Sequence, residues 1–331
     1  MEKVIAVVVT YNRLALLREC IQALRTQTRR PDAILVVNNG STDNTRQWLE
    51  EQPDITTVNQ QNCGGAGGFN TAIEQGFRLG YEWIWCMDDD GEPKADALQK
   101  LLEASEKEHD LKLLNCAVIN KDDKKSFVWN TGGHKSLDDV EGNIIEGIGH
   151  PFNGTFINRR IVERVGTPRA KFFLWGDETE YYYRIVKQNN IPVCTVADSI
   201  HYHPAAAFSI KQDWDYKSAW KMYYYIRNRF SIHKAKFNVK AIAFINYCCF
   251  LAAMAGVVIL FQKTNKLKKL NFILWPATDA LVNNFSATPG LILERLKTKS
   301  ENSFNENFTG AFRTLWSLLF ASTMAKKVQA R

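Results

Sequence analysis

Three adjacent carboxylates, Asp88-Asp89-Asp90, are the most distinctive group of ionisable side chains in this sequence. They follow the apolar run Trp83–Met87, which predicts a buried strand. Acidic runs usually form solvated turns, but carboxylates at the end of an interior strand repel one another unless a cation compensates. Oxygen ligands favour a hard divalent ion such as Mg²⁺ or Mn²⁺. Asp88 and Asp90 point to the same side of an extended segment, so one can face a metal and the other a bound ligand.

A second acidic cluster lies in the sequence Trp175-Gly176-Asp177-Glu178. One interpretation is an acidic helix start, because a carboxylate is favourable near a helix N-terminus. The other is a general base for a sugar hydroxyl, since aromatic faces hold sugars and a carboxylate accepts the proton. These residues alone favour neither interpretation over the other.

Two further features have both a structural and a functional interpretation. His201 and His203 share one face of a predicted strand. Histidines near strand ends are mostly structural, but an imidazole can also complete a metal site built on aspartates. The run Gly64–Gly68 predicts a loop before a helix. Glycine clusters commonly form simple turns, but here they also permit close backbone approach to a diphosphate or a ribose.

The elements that position these residues alternate between strand and helix patterns. Apolar runs predict strands at 4–9, 34–37, 55–58 and 83–87, and helical spacing predicts helices over 14–24, 44–50 and 69–77. Such alternation implies a mostly parallel sheet, whose ligands bind beyond the carboxyl ends of its strands. The polar or glycine-rich patches expected there are 10–13, 38–43, 62–68 and 88–90. Between 115 and 160 the periodicity weakens, and we predict only an exposed turn at 121–125.

The composition excludes several classes of protein. With 45% hydrophobic and 23% charged residues, the chain is not disordered, collagenous or a coiled coil overall. Its seven cysteines include no CxxC pair, so we expect neither a disulfide framework nor a zinc site, and a reducing cytosol fits best. The apolar run at 4–9 is too short for a secretory signal, and we predict that the protein is not secreted.

The charge is divided unevenly along the chain. Of the net charge of +7, residues 1–203 carry −6 and residues 204–331 carry +13. Residues 241–262 are uncharged, and a helix of this length at about 1.5 Å per residue could cross about 30 Å of hydrocarbon. Lysines flank it on both sides, so the charge bias that orients a spanning helix is missing. The segment could span a membrane, be buried in the protein or lie in the interface, and the last two are favoured.

A second apolar helical face is predicted near the C-terminus, close to Lys326 and Lys327. Its residues are Phe312, Leu315, Trp316, Leu319 and Phe320. Two ordinary core helices would explain both segments, but the positive charge of this half would attract anionic lipid. We therefore expect a peripheral association with a membrane surface.

Together these motifs resemble glycosyltransferase family 2, the inverting enzymes of GT-A fold, and within it the galactofuranosyl- and rhamnosyltransferase-like branch. The segments that carry the resemblance are Val7–Arg13, Val37–Asp43, Asn62–Phe69, Met87–Gly91, Trp175–Glu178 and Tyr202-His203. Each is unspecific alone, but their order and spacing over residues 4 to about 205 are specific. Tyr223–Asn228 is similar to the segment that precedes the membrane-associated helices of such enzymes.

The resemblance implies roles for individual positions in binding the donor. The residues lining its pyrimidine and ribose would be Thr10, Asn12, Arg13 and Asn39. Gly64 and Gly65 would lie near the ribose and diphosphate, as would Asp89, and Trp175 would also contact the donor. Asp88 and Asp90 match the metal-binding aspartates of the DxD motif. His203 is the better match for the metal-binding histidine, and His201 is the alternative.

Asp177 matches the catalytic base of the family, and Asn153-Gly154-Thr155 resembles an acceptor-side loop. Gly176 departs from the branch, which often has a second acidic residue there. The resemblance implies an α/β catalytic domain of GT-A fold at 1–205, a Rossmann-like, mostly parallel sheet flanked by helices. A helical, basic, membrane-associated region would follow at 206–331.

The expected activity is metal-dependent, inverting transfer of a sugar from a nucleotide diphosphate, UDP-galactofuranose or dTDP-rhamnose. The acceptor would be a lipid-linked or cell-surface glycan such as O-antigen, reached from the cytoplasmic face of the inner membrane, with Mn²⁺ or Mg²⁺ as cofactor. A sugar-nucleotide pyrophosphorylase would need an N-terminal glycine-rich signature that this chain lacks. A non-catalytic carbohydrate- or membrane-binding protein would not need Asp88–Asp90, Asp177 and His203 together. Nucleic-acid binding is disfavoured by the apolar run at 241–262.

Overall fold

The computed structural model describes residues 2–107, 110–205 and 210–298. Within them, contacts define two units, one within 1–173 and 177–207 and the other within 174–176 and 208–331. The helical face predicted at Phe312, Leu315, Trp316, Leu319 and Phe320 lies outside the described residues.

The first unit contains a mixed sheet with helices on both faces. Its strands are β1 (Val4–Thr10), β2 (Ala33–Asn38), β3 (Ile55–Asn59), β4 (Trp83–Asp88), β5 (Glu92–Pro93), β6 (Leu113–Asn120), β7 (Ser126–Thr131), β8 (His134–Ser136), β9 (Ile144–Glu146), β10 (Thr155–Asn158) and β11 (Val193–His203). Its helices are α1 (Leu14–Arg25), α2 (Thr45–Glu50), α3 (Gly64–Arg78), α4 (Ala97–Lys107), α5 (Arg159–Val165) and α6 (Asp177–Tyr183). The predicted fold class, a mostly parallel sheet flanked by helices, is confirmed.

The core of the sheet is the parallel set β3-β2-β1-β4, which matches the strands predicted from the apolar runs. Every residue of β1 is buried, as expected for a strand covered on both faces. Val4, Ala6 and Val8 pack with α1 and α4 on one face. Ile5, Val7 and Val9 pack with α3, α5 and α6 on the other. β4 pairs with β1 on one side and β10 on the other, so its carboxyl end lies in the middle of the sheet.

The second half of the sheet contains pairings that no local pattern predicted. β10 is inserted antiparallel between β4 and β6, with Thr155 opposite Cys86. β11 runs parallel to β6 and antiparallel to the short β5. Its register with β6 shifts between Val196 and Ile200. These long-range pairings bring the end of β11 beside the end of β4.

The prediction that Gly64–Gly68 forms a loop is wrong. These residues form the first turns of α3. Small residues are needed there because a Cβ at Gly64, whose φ is +72°, would collide with the Phe173 carbonyl, and one at Gly68 would collide with Val9. Close packing, rather than loop flexibility, explains these glycines. At Gly65, by contrast, a Cβ would meet no atom of the described residues within 4 Å.

The described residues of the second unit are mainly helical. Its helices are α7 (Trp220–Lys236), α8 (Lys240–Phe261), α9 (Lys266–Leu281) and α10 (Pro289–Thr298). The long helix predicted over 241–262 is confirmed as α8. Among the described residues, α8 is the one helix long and apolar enough to cross a membrane, with a mean hydropathy of 2.2.

Within the part of the chain that the structure describes, most of the apolar surface of α8 is left exposed. Its buried residues form one stripe, Ala243, Tyr247, Met254 and Val258. Large apolar side chains elsewhere on the helix are exposed, including Ile245 at 59% and Leu260 at 75%. This exposure distinguishes α8 from an ordinary core helix.

Candidate active site

The acidic triplet lies where β4 ends and a tight turn leads into β5. Asp88 is the last residue of β4, and the Gly91 N–H closes the turn by donating to the Asp88 carbonyl at 3.2 Å. Because Tyr202 pairs with Glu92 in antiparallel register, the end of β11 runs alongside this turn. The pairing of β5 with β11 therefore brings His203 to the aspartates.

Asp88, Asp90 and His203 each offer one ligand atom, and the three atoms lie within 4.8 Å of one another. His203 Nε2 is 3.3 Å from Asp90 Oδ1. Burial and the charges of Asp90 and Asp89 raise the pKa of Asp88 to about 8. Two carboxylates and an imidazole in this arrangement fit a divalent cation, which would relieve the repulsion.

The three aspartates have different partners. Asp89 is buried, accepts a hydrogen bond from Thr10 Oγ1 at 2.8 Å and lies 3.2 Å from Arg13 Nη1. Burial raises the pKa of Asp89 despite these contacts. Arg13 Nη1 also donates to Asp90 Oδ2 at 2.9 Å. Burial opposes the ionised form of Asp90, but His203 and Arg13 outweigh it and lower its pKa.

His203 and His201 occupy different environments. Burial disfavours the charged form of His203, but its contact with Asp90 outweighs that effect and raises its pKa. His201 is fully buried beneath Gly91, and burial lowers its pKa to about 3. Within the described residues, the group able to hold a metal contains His203 and not His201.

Two asparagines predicted to contact a ligand are engaged within the protein. Asn39 is buried; its Nδ2 donates to the Gly64 carbonyl at 2.9 Å, and its Oδ1 accepts from the Cys63 N–H at 3.2 Å. Asn12, whose φ is +54°, accepts from the Thr42 N–H at 2.6 Å. These side chains tie the ends of β1 and β2 to the start of α3, so they shape the wall of the site.

Asp177 is the first residue of α6, and its side chain is buried. Burial raises its pKa well above the usual range, and the charge of Glu178 adds to this effect. The negative charge of Asp88 also raises the pKa of Asp177. A carboxyl with a raised pKa has the basicity that a general base requires.

Trp175 belongs to the segment 174–176, which groups with the second unit. Its backbone has a φ of +57°, unusual for a bulky residue. The ring lies edge-on to Tyr225 at 6.2 Å, and the Lys221 ammonium is 5.8 Å from its centroid. The Trp175 side chain is therefore in contact with α7.

Sequence reasoning missed Trp129, a half-buried residue of β7. Its ring centroid is 5.0 Å from that of His203 and 5.4 Å from that of His150. Burial lowers the pKa of His150 to about 4. The apolar stretch at 127–129 before Gly132-Gly133 could have indicated a strand that ends in a turn. It lies in the region 115–160, where the periodicity was too weak for a prediction.

Comparison with known proteins identifies the family of this chain. Residues 5–166 match the model of glycosyl transferase family 2. Galactofuranosyltransferase GlfT1 of Mycolicibacterium smegmatis is 32% identical over 63% of this chain and 74% of its own length. The low-salt glycan biosynthesis hexosyltransferase Agl10 of Haloferax volcanii is 24% identical over 69% of this chain and 76% of its own.

A solved structure supports the fold. The structure of S. aureus TarS 1-349 in complex with UDP has a TM-score of 0.56 and 14% identity, covering 92% of this chain and 90% of that one. At this identity the similarity shows the fold alone. The family model together with the GlfT1 relative shows membership: this chain belongs to glycosyl transferase family 2 and is a glycosyltransferase.

Proposed function

We propose that this glycosyltransferase moves a hexose, with inversion and with a divalent cation, from a nucleotide diphosphate onto a glycan hydroxyl. The observation that supports it most is the convergence of Asp88, Asp90 and His203 beside the carboxyl end of β4. The negative charge of Asp88 also raises the pKa of the buried Asp177 carboxyl. Asp88, Asp90 and His203 would hold the cation, which when bound neutralises charge growing on the departing nucleoside diphosphate.

The chain's own residues supply the rest of the chemistry. Asp177 accepts the proton of the acceptor hydroxyl as that oxygen forms a bond to the anomeric carbon. The bond from this carbon to the diphosphate oxygen breaks, and its electron pair leaves with the nucleoside diphosphate. Attack from the face opposite the leaving group inverts the configuration.

The donor site would combine the ends of β1 and β2 with the start of α3. Thr10, Asn12, Arg13 and Asn39 would shape the pocket for the base and ribose. The N-terminus of α3 would face the diphosphate, where the positive end of the helix dipole favours an anion. Gly65 has open space beside it and permits such an approach.

The relatives favour a UDP-linked sugar, and galactofuranose in particular. Two structural neighbours are described as complexes with UDP and with UDP-GlcNAc. The GlfT1 relative is named as a galactofuranosyltransferase. dTDP-rhamnose remains the alternative donor for this branch. An undecaprenyl-phosphate mannosyltransferase of Micrococcus luteus, 30% identical over 31% of this chain, supports an acceptor or product linked to lipid.

We further propose that the second unit docks on the cytoplasmic face of the inner membrane. The apolar surface of α8 that the described residues leave exposed supports this placement, as do Lys240 at the start of α8 and Lys263 after its end. Exposed apolar side chains enter the interface, and lysines attract anionic headgroups. A protein held there could reach a lipid-linked glycan.

A donor screen tests the proposed activity. The purified full chain is incubated with UDP-galactofuranose, dTDP-rhamnose and UDP-GlcNAc, each with and without Mn²⁺, and release of the nucleoside diphosphate is measured. We expect slow hydrolysis of UDP-galactofuranose or dTDP-rhamnose that needs the metal. Failure to bind or turn over any of these donors in Mn²⁺ would contradict the proposal.

A further inference from the structure

The backbone immediately before Asp177 adopts an unusual conformation. Phe173, Trp175 and Gly176 have φ values of +65°, +57° and +92°, a region that bulky residues rarely occupy. Such backbone persists only where surrounding contacts determine it, and it occurs often at functional sites. The conformation of this segment sets where α6, and therefore Asp177, begins.

Asn228 of α7 holds this segment. Its Nδ2 donates to the Leu174 carbonyl at 2.9 Å and to the Trp175 carbonyl at 2.7 Å. The side chain is fully buried, and its Oδ1 accepts from Arg227 Nε at 3.0 Å. The bond from Arg227 orients the amide so that its N–H groups face the two carbonyls. Buried hydrogen bonds of this kind are costly to lose, because each carbonyl would be left without that donor.

A second contact of α7 constrains the same segment. Gly176 packs against Ile232, and a Cβ there would lie 2.8 Å from Ile232 Cδ1. Asn228 and Ile232 are one helical turn apart, so one face of α7 fixes the carbonyls of 174–175 and the path of Gly176. The Trp175 side chain lies against Tyr225 of the same helix.

We propose that Asn228 is a positioning residue of the transfer reaction. By fixing the backbone at 174–175, it sets the chain direction through Gly176 and so the place of the Asp177 carboxyl at the start of α6. This inference rests on the proposed role of Asp177. Because a misplacement of about 1 Å can reduce a rate by about 100-fold, a positioning defect should lower transfer far more than donor binding.

The sharpest variant is Asn228→Asp, which keeps the shape and an acceptor for Arg227 but removes the amide donors. Asn228→Ala is the second variant. The matched control is Tyr247→Phe, which removes another buried hydrogen bond of the second unit, from Tyr247 to the Ile226 carbonyl at 3.1 Å. The control leaves the contacts of Asn228 in place.

The full-length variants are compared in Mn²⁺ for transfer kcat, for UDP affinity by calorimetry and for Tm. We expect Asn228→Asp and Asn228→Ala to lower kcat by roughly 10-fold to 100-fold, with UDP affinity within about threefold of wild type. Hydrogen exchange should increase in the peptide that spans 174–177. Tyr247→Phe should lower Tm about as much as Asn228→Ala does, yet it should keep kcat within about twofold of wild type.

The inference is overturned if Asn228→Asp transfers at the wild-type rate, or if its UDP affinity falls in parallel with kcat. It is also overturned if Tyr247→Phe loses kcat equally, since the effect would then come from general destabilisation. If wild type itself turns over no nucleotide sugar, the proposed function fails and this inference fails with it. The wild-type assay therefore separates the two failures.

Discussion

The adjacent residues Asp88, Asp89 and Asp90 have carboxyls with different partners. Asp89 is satisfied internally by Thr10 and Arg13, whereas Asp88 and Asp90 converge with His203. Arg13 compensates part of the negative charge. Burial and the remaining repulsion raise the pKa of Asp88, and a bound cation would relieve that repulsion.

Asp177→Asn is expected to lower the transfer rate by roughly 100-fold to 10,000-fold, because the amide cannot accept the acceptor's proton. Donor affinity should stay nearly unchanged. Kinetics of transfer and calorimetry with UDP in Mn²⁺ measure the two effects. Asp198→Asn, at an exposed position of β11, is the control and should match wild type. Equal loss of transfer and affinity in Asp177→Asn would remove Asp177 from the role of base.

The raised pKa of Asp177 predicts the pH dependence of transfer. As pH falls through that pKa, the carboxyl becomes protonated and the rate declines. Glu178→Gln removes a neighbouring negative charge and should move this decline to lower pH. The measurement is kcat against pH at saturating Mn²⁺ in both proteins. If the decline in Glu178→Gln moved to higher pH or did not move, Asp177 would not be the group that sets the acidic limb of the kcat–pH profile.

At the level of single residues, the sequence predicted which side chains form a group able to hold a metal, Asp88, Asp90 and His203, but not the contacts around that group. An acidic triplet after an apolar strand is visible locally. The bond of Thr10 to Asp89 and the contact of Trp129 with His203 join residues far apart in the chain. Their spacing in the sequence does not predict these contacts, because strand pairing in the sheet brings the residues together.

Among the secondary-structure elements, α3 shows how one glycine cluster can serve two purposes. Gly64 and Gly68 allow close packing against Phe173 and Val9. Among residues 2–107, 110–205 and 210–298, Gly65 has no neighbour that requires a small residue. The open space beside Gly65 is therefore available to a ligand.

Gly65→Ala is expected to fold at least as well as wild type, because alanine favours a helix by up to about 1 kcal/mol over glycine. Its KM for the donor should rise by roughly 10-fold, since the added methyl obstructs approach to the start of α3. Thermal unfolding and donor kinetics measure the two effects. Gly290→Ala in α10, where a Cβ would also meet no atom within 4 Å, is the matched control. An unchanged donor KM in Gly65→Ala would place the diphosphate elsewhere.

The predictability of elements falls along the chain. β1, β2 and β4 were predicted because continuous apolar runs identify strands covered on both faces. The antiparallel insertion of β10 and the pairing of β5 with β11 depend on long-range register, which local patterns do not contain. The glycine cluster at 64–68 predicts a loop, but these residues form a helix because close packing against Phe173 and Val9 overrides the low helix propensity of glycine.

For the molecule as a whole, composition already separated an acidic N-terminal part from a basic C-terminal one. Composition could not decide whether residues 241–262 are covered by protein. The structure leaves Ile245 and Leu260 exposed on α8. Surface of this kind is what an interfacial helix presents to lipid.

The full chain is therefore expected to float with vesicles that contain anionic lipid, and less so in high salt. Ile245→Glu combined with Leu260→Glu should reduce the bound fraction at least about 10-fold, because charges are costly in the apolar part of the interface. Leu79→Glu, at a residue of the first unit that is 54% exposed, is the control. Equal flotation of the double variant and the control would show that α8 does not contact lipid.

The central claim is that Asp88, Asp90 and His203 hold one divalent cation that serves a nucleotide-sugar donor. The most direct measurement is anomalous diffraction from crystals of the full chain grown with UDP and Mn²⁺. We predict one manganese peak in coordinating contact with the Asp88 and Asp90 carboxylates and His203 Nε2, and also with the UDP diphosphate. UDP bound without a peak at these residues, or a peak away from them, would contradict the claim.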